Sequence, residues 1–132
     1  RVRDALGDMN GKTIGVLGLT FKPNTDDMRD SPSLAVIPAL QGMGAKVQAF
    51  DPEGMKEAAH LFQNLELKDG PYEVAEGADA LVILTEWNQF RALDLVRLKA
   101  VMNRPLLIDL RNVYKPGEVR GAGFDYVSIG RA

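Results

Sequence analysis

The chain contains no cysteine, which excludes a disulfide framework, a thiolate zinc site and a thiol nucleophile within these residues. Its single histidine, His60, has no second histidine or cysteine at ligand spacing, so no metal site is expected. Long apolar runs are missing: stretches such as Leu106-Leu107-Ile108 fall far short of the roughly 20 residues that a membrane-crossing helix needs. The opening Arg1-Val2-Arg3-Asp4-Ala5-Leu6-Gly7 lacks the apolar stretch of a signal peptide. The expectation is a cytoplasmic protein with no membrane partner. A basic excess is missing too. Sixteen basic residues face eighteen acidic ones for a net charge of −2, whereas a protein that lives on a phosphate backbone shows the opposite balance. Nucleic acid is therefore not an expected partner, and no Ser–His–Asp set or nucleophile elbow appears.

What is present is ordinary globular material, with 132 residues, 45% of them hydrophobic and 26% charged. This is enough for one domain with its own core. Thr13 to Leu19 is a short β-branched, apolar run that reads as a strand buried on both faces. Four runs resemble it: 46–50, 80–84, 106–110 and 124–129. Helical candidates lie between most of them. The clearest begins at Ser31-Pro32, carries Leu34, Ile37 and Leu40 as its apolar stripe, ends at Gly42 or Gly44, and is expected to bend at Pro38. Others are expected over 54–62 and after Asp94, with short turns at 74–78 and 118–121. Strands alternating with helices require parallel pairing and right-handed crossovers. The expected fold is α/β, a Rossmann-like three-layer sandwich with a mainly parallel sheet, over residues 11–132. Residues 1–10 are polar and helix-tolerant up to Asn10-Gly11, and read either as the tail of an upstream helix or as a native amino-terminal one.

The first strand closes as Gly15-Val16-Leu17-Gly18-Leu19-Thr20. This is not G-x-G-x-x-G, and no helix starts directly after it, so the glycines read better as sites of close helix–sheet packing than as a dinucleotide cradle. The stretch that follows, Phe21 to Ser33, leaves the carboxyl end of a strand, where open α/β sheets place ligands. It carries two cations, Lys22 and Arg29, suited to oxygens of a phosphate or hydroxyl. The alternative is a solvated loop in which Asp26, Asp27 and Asp30 pair with them. Asp51, at the end of the second strand, admits a ribose contact or a helix cap. Arg111, just beyond Asp109-Leu110, points either into the crevice or to a carboxylate such as Asp109. Trp87 and Phe90 could stack on a base, but packing under a short helical turn is the better reading.

The segment Gly18-Leu19-Thr20-Phe21-Lys22-Pro23-Asn24-Thr25-Asp26-Asp27-Met28-Arg29-Asp30-Ser31-Pro32 closely resembles the hallmark of the UDP-glucose 6-dehydrogenase family. The resemblance continues through Phe50-Asp51-Pro52, Leu84-Thr85-Glu86-Trp87, Ile108-Asp109-Leu110-Arg111-Asn112-Val113-Tyr114, Gly123-Phe124-Asp125-Tyr126 and Gly130-Arg131, in the family's order. It implies the carboxyl-terminal, UDP-binding domain of a larger enzyme that oxidises a UDP-sugar twice with two NAD⁺. The resemblance places NAD mainly on an amino-terminal domain absent from this chain. It also places the catalytic cysteine upstream, makes residues 1–10 the end of a central helix and turn, and suggests a homo-oligomer. By the same resemblance, Lys22 and Arg111 contact the UDP-sugar and Arg29 reaches toward NAD. Related dehydrogenases of UDP-N-acetylated sugars or GDP-mannose share the architecture, but the wording around Lys22 favours UDP-glucose. The alternatives are a stand-alone nucleotide-sugar binding or regulatory module, and a fold used for protein association only.

Overall fold

A computed structural model of the chain describes residues 11–19, 33–62, 64–85, 90, 93–110 and 114–128. Strand β1 (Thr13–Leu17) is buried on both faces beyond Thr13, as an apolar run between two helical layers must be. It is followed by α1 (Ser33–Gly42), β2 (Lys46–Phe50), α2 (Met55–Leu61), β3 (Glu66–Leu67), α3 (Pro71–Ala75) and β4 (Ala80–Ile83). Then come α4 (Leu95–Val101), β5 (Leu106–Asp109), α5 (Pro116–Gly121) and β6 (Asp125–Ser128).

The six strands form one sheet in the order β3-β2-β1-β4-β5-β6, and every neighbouring pair is parallel. From β1 the chain winds outward to β3, then returns to place β4 against the other side of β1. The winding reverses between β1 and β4, and open α/β sheets place ligands outside the carboxyl ends of the strands at such a switch point. The period-two alternation of the strands feeds two cores. Ile14, Val16, Val47 and Ala49 meet Ile37 and Leu40 of α1 and Ala58 of α2 on one face. Leu17, Leu81, Ile83 and Leu107 meet Val74, Leu98 and Val119 on the other. Gly15 permits that second layer to sit close, since a Cβ there would lie 2.8 Å from both Cγ1 and the carbonyl oxygen of Val74.

The elements depart from the sequence reading in four places, each for a local reason. β3 has only two residues on the sheet edge and carries no apolar run to announce it. α3 begins at Pro71, ahead of the expected Val74, because extended Gly70 precedes a proline suited to the first helical position. The same proline effect starts α5 at Pro116. α1 contains Pro38 as the sequence implied, but its apolar stripe differs, because Leu34 lies with Pro38 on the exposed side of the helix. Leu34 is consequently not part of the buried stripe, being 39% exposed, and Ser33 takes the inward position instead. Asp94 caps α4 as its position suggested, its Oδ1 accepting from the backbone N–H groups of Val96 and Arg97.

Candidate functional site

At the carboxyl edge of the sheet, side chains add to the ladder in tying the strand ends together. At the exit of β1, Gly18 has φ +96°, and a Cβ placed on it would meet Thr85 Cβ at 2.5 Å and the Thr85 nitrogen at 2.6 Å. The exits of β1 and β4 thus touch at the switch point, with the Leu84 N–H donating to the Leu17 carbonyl alongside.

One residue further on, the Leu19 N–H donates to Asp51 Oδ2 at 2.8 Å. The other oxygen of Asp51 accepts from the Glu53 and Gly54 N–H groups at 2.8 and 2.7 Å. Asp51 thus holds the turn that leads into α2 and does not cap the helix itself, whose N-cap is Gly54 with no side-chain hydrogen bond. A fully buried carboxylate joins the ends of β1 and β2 to the turn into α2. From the other side, buried Ser33 donates its hydroxyl to the Leu19 carbonyl at 2.7 Å.

A second knot closes the β5 side. Asp109 Oδ2 accepts from the Tyr114 N–H at 2.9 Å and from the Tyr126 hydroxyl at 2.8 Å. The Tyr126 hydroxyl also lies 3.0 Å from the Tyr114 carbonyl, and the carboxylate takes the stronger share of its proton. The Tyr114 hydroxyl donates to the Phe90 carbonyl. Phe90 is fully buried in the α4 and α5 layer, so it is a packing aromatic and not a stacking platform. Sequence reasoning did not single out Ser33, Thr85, Tyr114 or Tyr126 as separate candidates. Their roles depend on contacts between residues far apart in the chain, which no local pattern announces. Lys22, Arg29, Arg111 and Trp87 lie outside the described residues, as does the side chain of His60.

Burial pushes the Tyr114 phenol well above its ordinary range, outweighing the opposite pull of a backbone contact at Leu93. A raised value in the folded state means that folding favours the protonated phenol. This contribution is fully present below the unfolded tyrosine value of about 10 and is lost as the pH rises above it. The unfolding midpoint is expected to fall above about pH 10, and to fall less in Tyr114→Phe, when thermal unfolding of the two is followed across that range. Equal slopes would remove Tyr114 as the cause.

The glycine positions of β1 do not fit a dinucleotide. The space beside Gly15 is filled by Val74 and that beside Gly18 by Thr85, and the next described helix starts only at Ser33. A pyrophosphate needs those spaces open and a helix amino terminus directly behind them. Among the described residues no group of three His, Cys, Asp or Glu side chains could hold a metal ion, and no helix is long and apolar enough to cross a membrane. A cavity of about 730 Å³ lies at the opposite edge of the sheet, against Thr13, Lys46 and Glu66, which begin β1, β2 and β3.

A parallel 3-2-1-4-5-6 sheet with its switch point between β1 and β4 defines a doubly wound, Rossmann-like class of domain. Comparison with known proteins gives the particular branch. Residues 15–116 match the UDP-glucose/GDP-mannose dehydrogenase family, UDP binding domain, and the chain belongs to that family. UDP-glucose 6-dehydrogenase of Rhizobium meliloti (strain 1021) is 62% identical over 125 residues, covering 95% of this chain and 29% of the relative. UDP-glucose 6-dehydrogenase TuaD of Bacillus subtilis (strain 168) is 44% identical over 127 residues, covering 96% of this chain and 28% of its own length. Among solved structures, a UDP-glucose dehydrogenase from Pyrobaculum islandicum superposes with a TM-score of 0.79 at 30% identity, covering 98% of this chain and 28% of that one. The chain therefore spans less than a third of the length of these relatives.

Proposed function

We propose that this chain is the UDP-sugar-binding part of a longer NAD-dependent dehydrogenase that oxidises UDP-glucose to UDP-glucuronate in two hydride-transfer steps. The observation that carries this reading is the match of residues 15–116 to the UDP binding domain of that family. The sequence between Leu19, just past the carboxyl end of β1, and Ser33, at the start of α1, bears Lys22 and Arg29. A UDP diphosphate and an NAD pyrophosphate both call for cations in a closing cleft. Lys22 and Arg111 serve the UDP-sugar, and Arg29 reaches toward an NAD held mainly by an amino-terminal domain, in keeping with the poor fit of β1 to a dinucleotide. The nucleophilic cysteine belongs upstream, and residues 1–10 close a central helix. The full-length enzyme works in the cytoplasm as a homo-oligomer, and its product serves as a polysaccharide precursor.

The test is turnover by the intact gene product: two NADH formed per UDP-glucose consumed. Lys22→Ala is expected to raise the KM for UDP-glucose, and Arg29→Ala the KM for NAD. Each loss should be about ten- to a hundredfold, the worth of one charge-assisted contact at about 1.5–3 kcal/mol. Parent-like kinetics in both variants would overturn the residue assignments. UDP-glucose binding without any turnover would favour the stand-alone binding module.

A further inference from the structure

We propose that the cavity at the amino edge of the sheet is a second binding site, for a monosaccharide or a similar uncharged polyol, on the edge opposite the switch point. The cavity exists because β3 starts late. Its first residue, Glu66, pairs with Gln48, so Lys46 and Val47 at the start of β2 have no strand beside them on that flank. Asn64, at φ +58°, turns the chain just before β3, and about 730 Å³ is left between the end of α1 and the three strand starts. Small-molecule sites ordinarily measure about 300–1,000 Å³.

Gln48 points to a ligand. It is only 7% exposed and lines the cavity. Its Nε2 donates to the Val74 carbonyl at 2.6 Å and to the Glu76 carbonyl at 2.9 Å, which uses both amide hydrogens and fixes which end of the amide is which. Oε1 has no donor among the described residues. No fully enclosed side-chain oxygen among those residues lacks a partner, so this one is reached from the cavity.

The backbone supplies the matching donor. Peptide groups alternate in direction along a strand: the Lys46 N–H donates to the Lys12 carbonyl on the β1 side, and the Ala49 carbonyl accepts from Lys68 on the β3 side. The Val47 N–H therefore points to the flank where β3 has not begun. An open acceptor and an open donor on one wall suit a hydroxyl, which gives one hydrogen bond and receives another. Thr13 and the Asn64 amide can serve further hydroxyls, while Ala45 and Leu65 offer apolar surface to the C–H groups of a ring. Lys46 and Glu66 bring one charge of each sign, and α1 turns its carbonyl end this way, which is the wrong end for a phosphate. No aromatic side chain is among the described residues that line the cavity, so no platform for a nucleobase is provided.

Saturation-transfer difference NMR on the intact protein tests this, with glucose as the probe and excess UDP-glucose present to fill the substrate site. The readout needs no turnover, so it is independent of the function proposed above. Glucose is expected to show saturable transfer in the millimolar range that UDP-glucose does not abolish. Asn64→Gly suits the positive φ and removes one amide, and should weaken binding roughly three- to tenfold, the worth of a single neutral hydrogen bond. Gln48→Met should abolish binding. That variant also leaves the Val74 and Glu76 carbonyls without their donor, so its thermal unfolding is followed in parallel, and Asn64→Gly decides if it does not fold. The proposal falls if glucose gives no saturable transfer, if UDP-glucose abolishes the transfer, or if Asn64→Gly binds like the parent. Displacement of glucose by acetate would overturn the assignment to an uncharged polyol.

Discussion

Gly18→Ala is expected to destabilise the protein by about 3–5 kcal/mol, a large part of the 5–15 kcal/mol that ordinarily separates folded from unfolded domains. Two costs coincide at this position. The backbone sits at φ +96°, where a side chain is strained, and the new Cβ would lie 2.5 Å from Thr85 Cβ and 2.6 Å from the Thr85 nitrogen. Because a backbone atom is among those struck, trimming Thr85 gives no relief; β1 and β4 must separate at the switch point. Gly77→Ala isolates the first cost, since Gly77 has φ +68° with nothing within 4 Å of its Cβ position. It should cost about 1 kcal/mol. Urea unfolding of the two variants checks the argument, and a Gly18→Ala no worse than Gly77→Ala would refute the close approach.

Asp51→Ala is expected to cost about 3–5 kcal/mol, because it leaves the Leu19, Glu53 and Gly54 N–H groups without their acceptor. Asp51→Asn should be nearly as damaging. Both oxygens of Asp51 accept from backbone N–H groups, so one end of an asparagine amide must present its NH₂ to a donor. The chemistry of the site demands a carboxylate, not merely a polar group of that shape. An Asp51→Asn protein with parent-like unfolding in urea would show that only one oxygen matters. Gly18 and Asp51 support the same end of β1, so the double variant should fall short of the sum of the two singles.

Much of the fold was legible because its strands are apolar runs of the right length separated by helix-forming stretches. β1, β2, β4 and β5 announce themselves that way, and the Ser-Pro and Asp94 signals set helix starts to within a few residues. β3 was not legible: Glu66 and Leu67 form a two-residue edge that takes its identity from pairing with Gln48 and Ala49. The start of α3 was read late because apolar periodicity first shows at Val74, while the helix is set by Gly70 and Pro71. At the candidate site, Asp51 stood out by position, but its hold on the turn into α2 and its reach to Leu19 are set by contacts across the sheet end that no local pattern announces. Gly18 was legible as a glycine of close packing, but not its neighbour, Thr85, which arrives from another strand. Tyr114 and Tyr126 look like core aromatics in sequence, and their hydroxyls acquire meaning only when β5 and β6 bring them to Asp109.

The sheet order also has a kinetic side. β1 lies at the centre, with Ile14 beside Val47 on one flank and beside Ala80 on the other. As the chain emerges from a ribosome, β1 meets its first partner, β2, well before its second, β4, has been made. Pairings so distant in sequence close slowly, because the loop entropy is lost before the contacts return it. Until β4 docks, Ile14, Val16 and Leu17 form the open edge of a two- or three-stranded parallel fragment, the kind of surface that recruits other chains. The arrival of β4 therefore both completes the switch point of the sheet and ends the period in which the nascent protein is most prone to aggregate.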